Sequence, residues 1–94
     1  MTICTVTATF TPIPDHTESI KEFLLQEAVL VREEEGCRYY DLYESVNGEL
    51  VFIEAWDSRE LWMKHNDAPT VSRINEFVEG KLQREVQVQE LYQA

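Results

Sequence analysis

The chain has 94 residues, enough for one domain, and 44% of them are apolar, an ordinary share for a globular protein and too high for disorder. Its 18 acidic and 8 basic residues leave a formal charge of −10, which argues against nucleic-acid binding and against attraction to an anionic membrane surface. No apolar run approaches the roughly 18 residues of a membrane span.

The opening MTICTVTATF has neither a basic start nor a small-residue cleavage site, so no signal peptide is expected. Residues 2–11 alternate, with Cys4, Val6, Ala8 and Phe10 on one face and Thr5, Thr7 and Thr9 on the other. That period predicts a strand, ended by Pro12 and Pro14. Asp15 and Glu18 have capping-box spacing. Ile20, Phe23, Leu24, Ala28 and Val31 then predict a helix of roughly five turns, closed by Gly36. Glu33, Glu34 and Glu35 fall at its negative end, where acids are mildly unfavourable, and nothing local explains them.

Residues 37–46 and 49–57 flank Asn47-Gly48, the strongest short hairpin signal. The second of these strands is apolar on both faces, with Leu50, Phe52 and Trp56 on one side and Val51, Ile53 and Ala55 on the other. Asp57 or Ser58 can cap a short helix through about His65, broken by Asn66-Asp67-Ala68-Pro69. Val71, Ile74, Phe77 and Val78 mark another short helix, ending near Gly80. Residues 82–92 alternate again as a last strand.

The order βαββαβ, with its second helical segment broken in two, predicts an α+β ferredoxin-like domain over residues 1–94. It would have a four-stranded antiparallel sheet with helices on one face. A second copy is the economical cover for the other face, so a homodimer is expected. The two cysteines, Cys4 and Cys37, are too far apart for a zinc site or a CxxC pair, and a cytoplasmic setting with reduced thiols is expected. No Gly-rich phosphate loop, metal-ligand cluster or nucleophile elbow occurs, so neither cofactor nor metal is expected.

The run EEEGCRYYDLYES, followed by ELVFIEAWDSRELWMKH and a short helix, resembles the antibiotic biosynthesis monooxygenase domain family. The matching positions are Glu34-Glu35-Gly36-Cys37, Tyr40, Glu54-Ala55-Trp56 and His65, and the resemblance covers nearly the whole chain in element order. It implies a dimeric ferredoxin-like α+β barrel with a pocket between sheet and helices. It also implies oxidation of quinols or polycyclic anthrones without metal or flavin. Relatives of the same fold degrade haem or isomerise a phosphorylated sugar. The haem branch carries its ligand histidine about ten residues after a helical Trp, a position that here is Ser72, which disfavours it.

A cofactor-independent oxygenase needs a base, an aromatic cavity and donors for a developing oxyanion. His65 is the candidate base, since its ordinary pKa lies near neutrality, although a histidine at a helix end can simply answer the dipole. Glu54 shares a strand face with Phe52 and Trp56 and could orient His65, bind a substrate hydroxyl or pair across a dimer. Trp56 and Tyr40 are candidate substrate contacts that could equally be packing. Asn66 is a further candidate donor. Trp62 lies off the inward stripe and is expected to pack at an interface; His16 reads as surface. Two rivals remain: an isomerase of a small polar metabolite, which would want Arg38, Arg59 or Arg73 in the pocket, and a non-catalytic ligand-binding or interaction module. The expected partners are therefore a small aromatic molecule and a second copy of the chain, with no nucleic acid and no membrane.

Overall fold

A computed structural model describes residues 2–94. The chain runs β1 (Cys4–Phe10), a short 3-10 turn (Pro14–His16), α1 (Thr17–Val31), β2 (Cys37–Glu44), β3 (Leu50–Trp56), α2 (Arg59–Asn66), α3 (Pro69–Val78) and β4 (Gln87–Leu91). The four strands form one antiparallel sheet in the order β2-β3-β1-β4, the ferredoxin-like arrangement expected of the element order. Among the described residues no helix is long and apolar enough to cross a membrane.

Register fixes the two faces of the sheet. Cys4, Val6, Ala8 and Phe10 stand opposite Trp56, Glu54, Phe52 and Leu50, all toward the helices. Thr5, Thr7 and Thr9 stand opposite Ala55, Ile53 and Val51 on the open face. Tyr39, Asp41 and Tyr43 extend the open face across β2. Helix α1 covers the inner face because Ile20, Leu24, Ala28 and Val31 recur at helical spacing, and all four are fully buried. Phe52 anchors the core between Phe10, edge-on at 6.1 Å, and Tyr40, stacked at 4.2 Å. Burying a side chain of that size contributes about 1.5–3 kcal/mol. Helix α3 packs beside α1 through the parallel rings of Phe23 and Phe77, 4.1 Å apart, and the Arg73–Glu27 pair at 2.8 Å.

Several boundaries differ from the sequence expectation. Asp15 does not cap α1; it lies inside the 3-10 turn, and the N-cap position falls to His16 without a side-chain bond. Helix α1 ends at Val31, not Gly36. The glutamates that follow are unfavourable at a helix C-terminus, and two of the three, Glu34 and Glu35, make tertiary pairs instead. Glu35 meets Lys64 at 2.8 Å, and Glu34 turns inward. The last strand begins only at Gln87, because Leu82 makes an isolated bridge to Pro12 and Gln83 binds Thr11 and Pro12. At the hairpin, Gly48 takes the left-handed conformation (φ 85°) while Asn47 does not, so the turn needs one positive φ and glycine supplies it.

Candidate active site

The start of α2 is set by Ser58, whose hydroxyl accepts from the backbone N–H of Leu61. The helix approaches the α1–β2 turn at Gly36, where φ is 81° and a β-carbon would lie 2.4 Å from Leu61 Cδ1. That close approach, possible only for glycine, brings Trp62 and His65, three residues apart, onto the inward side of α2. Trp62 is therefore buried against the core rather than presented to an interface, a correction to its expected place.

Between the sheet, α2 and α3 lies a cavity of about 150 Å³. Its apolar wall includes Val6, Ala8, Phe10, Val71, Ile74, Val86 and Val88, and its polar groups are Tyr40, Glu54, His65, Asn66 and Asn75. Four of the five residues proposed from sequence thus meet at one cavity. Trp56 is the exception: fully buried, it lies behind the wall and touches the polar residues rather than the open space. Its indole N–H donates to Glu54 Oε1 at 2.9 Å, and its ring stacks on His65 with centroids 4.6 Å apart. Tyr40 meets the same imidazole edge-on at 5.5 Å.

Glu54 does not orient His65. Glu34 does: His65 Nδ1 lies 2.8 Å from Glu34 Oε1, and the Thr70 hydroxyl donates to Glu34 Oε2, also at 2.8 Å. Sequence reasoning did not foresee Thr70 or Asn75, and it quoted Glu34 only as a motif position, without its bond to His65. Among the described residues, His65 Nε2, the Tyr40 hydroxyl and the second Glu54 oxygen have no protein hydrogen-bond partner, yet none is sealed from solvent. His16 is not part of the cavity.

Burial dominates the electrostatics. It lowers the His65 pKa below its ordinary value, with the Glu34 carboxylate opposing part of that shift. It pushes Glu54 up to about 7, against the Trp56 N–H, which favours the carboxylate; the charge of Glu34 adds to the rise. Burial also raises Tyr40, helped by Glu54 and Glu34, so its hydroxyl stays a donor. At neutral pH the cavity thus combines an imidazole favouring its neutral form, a carboxyl near its midpoint and a phenol. Among the described residues no Lys or Arg lines it: Arg38 pairs with Asp57 at 3.2 Å, Arg59 with Glu90 at 2.7 Å and Arg73 with Glu27. Among the described residues no cluster of three or more His, Cys, Asp or Glu side chains could hold a metal ion.

A four-stranded ferredoxin-like sheet, one face under helices and a small polar-ended cavity between, defines a small-ligand-binding α+β domain. Residues 3–76 match the model of the family described as "Antibiotic biosynthesis monooxygenase". The Mycobacterium tuberculosis protein named "Putative monooxygenase Rv0793" is 42% identical over 65 residues, covering 68% of this chain and 64% of that relative, just under two thirds of its length. The solved structure of Rv0793 superposes with a TM-score of 0.91 at 35% identity, covering 98% of this chain and 95% of that one. PA3566 from Pseudomonas aeruginosa gives 0.90 at 28% identity, covering 100% and 96%. A conserved protein from Methanosarcina mazei Go1 gives 0.92 at 18% identity, covering 100% and 95%, a likeness of fold alone. The chain belongs to the antibiotic biosynthesis monooxygenase family.

Proposed function

We propose that this protein is a cofactor-independent monooxygenase of a small quinol-like phenol, with His65 as its base. The observation that carries the reading is the His65 imidazole: buried, fixed through Nδ1, without a protein partner on Nε2, and lining a cavity whose wall is mostly apolar. An apolar cavity of roughly 150 Å³ has room for about one aromatic ring. In this reading Nε2 accepts a phenolic proton, and the electron-rich anion supplies the electrons that reduce oxygen. One oxygen atom enters the ring as a new carbon–oxygen bond in place of a carbon–hydrogen bond, and the other leaves as water with two substrate hydrogens, so that the quinol supplies all four electrons and ends as a hydroxyquinone. The Tyr40 hydroxyl, Asn66 and protonated Glu54 are donors for the developing oxyanion.

The isomerase alternative wanted arginines in the pocket, and all three candidates are engaged by acids elsewhere. A non-catalytic binding module would use the same cavity without depending on the base. Oxygen uptake with a panel of single-ring hydroquinones separates the two. The expected result is saturable uptake above the spontaneous rate, resistant to chelators and needing no added flavin, and lost in His65→Ala with the circular dichroism spectrum unchanged. No uptake with any substrate, or equal turnover in the variant, overturns the reading.

The open sheet face supports a two-fold homodimer as the working form. Ile3, Tyr39, Tyr43, Ile53 and Leu91 are all substantially exposed there, an apolar patch of the kind that a second copy would cover. The free thiols of Cys4 and Cys37 fit a reducing compartment such as the cytoplasm.

A further inference from the structure

The structure assigns Glu34, held in place by Thr70, as the positioning residue that fixes His65 in the Nδ1–H tautomer and leaves the basic lone pair on Nε2 without a protein partner. This rests on the reading of His65 as the base only for its kinetic consequence; the tautomer itself follows from the hydrogen bonds.

A carboxylate only accepts hydrogen bonds. Glu34 Oε2 takes the Thr70 hydroxyl and Oε1 faces His65 Nδ1, both at 2.8 Å. The hydrogen of a neutral imidazole must then sit on Nδ1, and the basic lone pair on Nε2. Three elements converge to hold this: the α1–β2 turn carries Glu34, α3 carries Thr70 near its start, and α2 carries His65 in its last turn. Stacking on Trp56 removes the remaining freedom of the ring. Without the carboxylate the two tautomers would compete, and only one presents a base to the cavity.

The pH dependence has a definite sign. The titratable groups facing His65 are Glu34 from the α1–β2 turn, Tyr40 from β2 and Glu54 from β3, with Glu35 in the same turn, Lys64 on α2 and Asp67 just after it nearby. Burial lowers the His65 pKa and Glu34 raises it in part. Removing the Glu34 charge must lower it further, which moves the acidic limb of kcat/KM to lower pH. Mere damage to the fold would scale the profile without moving that limb.

The test combines nitrogen-15 NMR of the histidine side chains with pH–rate profiles for wild type, Glu34→Gln, Glu34→Asp and Thr70→Val. Above its pKa, wild-type His65 should show a protonated Nδ1 and an unprotonated Nε2. Glu34→Gln should lose that bias, because an amide N–H can donate to Nδ1, and should lower kcat by about tenfold or more with little change in KM. Glu34→Asp should recover part of the loss, and Thr70→Val should fall between wild type and Glu34→Gln. A wild-type Nε2–H tautomer, or a tautomer indifferent to Glu34→Gln, overturns the assignment. A held tautomer in a protein with no oxygenase activity upholds the positioning role and rejects the proposed chemistry instead.

Discussion

Gly36→Ala should be among the most damaging single-methyl additions in this protein, and two separate costs say why. Its φ of 81° lies in the left-handed region, which costs a residue bearing a β-carbon about 1–2 kcal/mol. The new methyl would also lie 2.4 Å from Leu61 Cδ1 and 2.9 Å from Leu61 Cβ. The Cδ1 can swing aside, but the Cβ moves only if α2 moves, and overpacking of that kind costs about 1–3 kcal/mol. The total of about 2–5 kcal/mol is a large part of the roughly 5–15 kcal/mol that holds a domain together. For a domain this size the melting temperature should fall by about 8–40 °C. Gly48→Ala is the internal control: φ is 85°, but nothing lies within 4 Å of the added carbon, so only the conformational cost of about 1–2 kcal/mol applies. Urea unfolding of both variants, compared by midpoint and slope, separates the two terms. A Gly36→Ala variant no less stable than Gly48→Ala would refute the idea that the turn is glycine because α2 must pass so close. The same displacement would lengthen the Glu34–His65 hydrogen bond, so residual activity should fall further than stability alone requires.

Glu54→Gln keeps the shape and an acceptor for Trp56 but cannot ionise. Since the folded-state pKa of Glu54 is raised to about 7 from an ordinary 4.5, folding binds a proton between those values, and wild-type stability is lost as pH rises through that window. The variant should therefore gain on wild type, by on the order of 3 kcal/mol at pH 8.5, with the gain vanishing near pH 4; a difference independent of pH in urea titrations would reject the assignment. Thr11 has a buried hydroxyl with no protein partner, so Thr11→Val should leave stability unchanged or raise it by about 1 kcal/mol, and a clear loss in the same titration would mean that the hydroxyl is satisfied by bound water. Ile53→Lys should convert a dimer to monomers by setting an ammonium in the middle of the apolar sheet face; sedimentation of the wild type as an ~11 kDa monomer at micromolar concentrations would remove the dimer from the proposal.

What the sequence disclosed depended on how local the cause was. The strands were legible because period-two alternation is a property of neighbours, and the inner and outer sets of β1 and β3 fall where their parity places them. The end of α1 was not, because Gly36 has the composition of a helix stop while its actual task is to admit Leu61 from α2, a contact 25 residues away in sequence. Trp62 was misplaced although the cue was present: in a helix that buries His65, the residue three before it shares the same face. Thr70 and Asn75 left no trace, being ordinary helix residues whose importance comes from what α3 happens to face.

Glu34 and Glu54 mark the middle ground, and both were visible as conflicts. Three glutamates in succession at the negative end of a helix make no local sense, and neither does an acid between Phe52 and Trp56 on an inward strand face. Local rules are broken where another demand outweighs them, most often at functional sites. Here the two conflicts resolve in opposite ways. Glu34 is matched, by a hydroxyl and an imidazole, and so becomes part of the support beneath the cavity. Among the described residues Glu54 is matched on one oxygen only, by an indole N–H, and no cation pairs with it. A fully apolar residue there would serve the core better, so the sheet carries Glu54 at a cost in stability that the cavity, not the fold, explains. That asymmetry fits the proposed roles, in which the satisfied acid positions His65 and the half-satisfied acid meets the ligand.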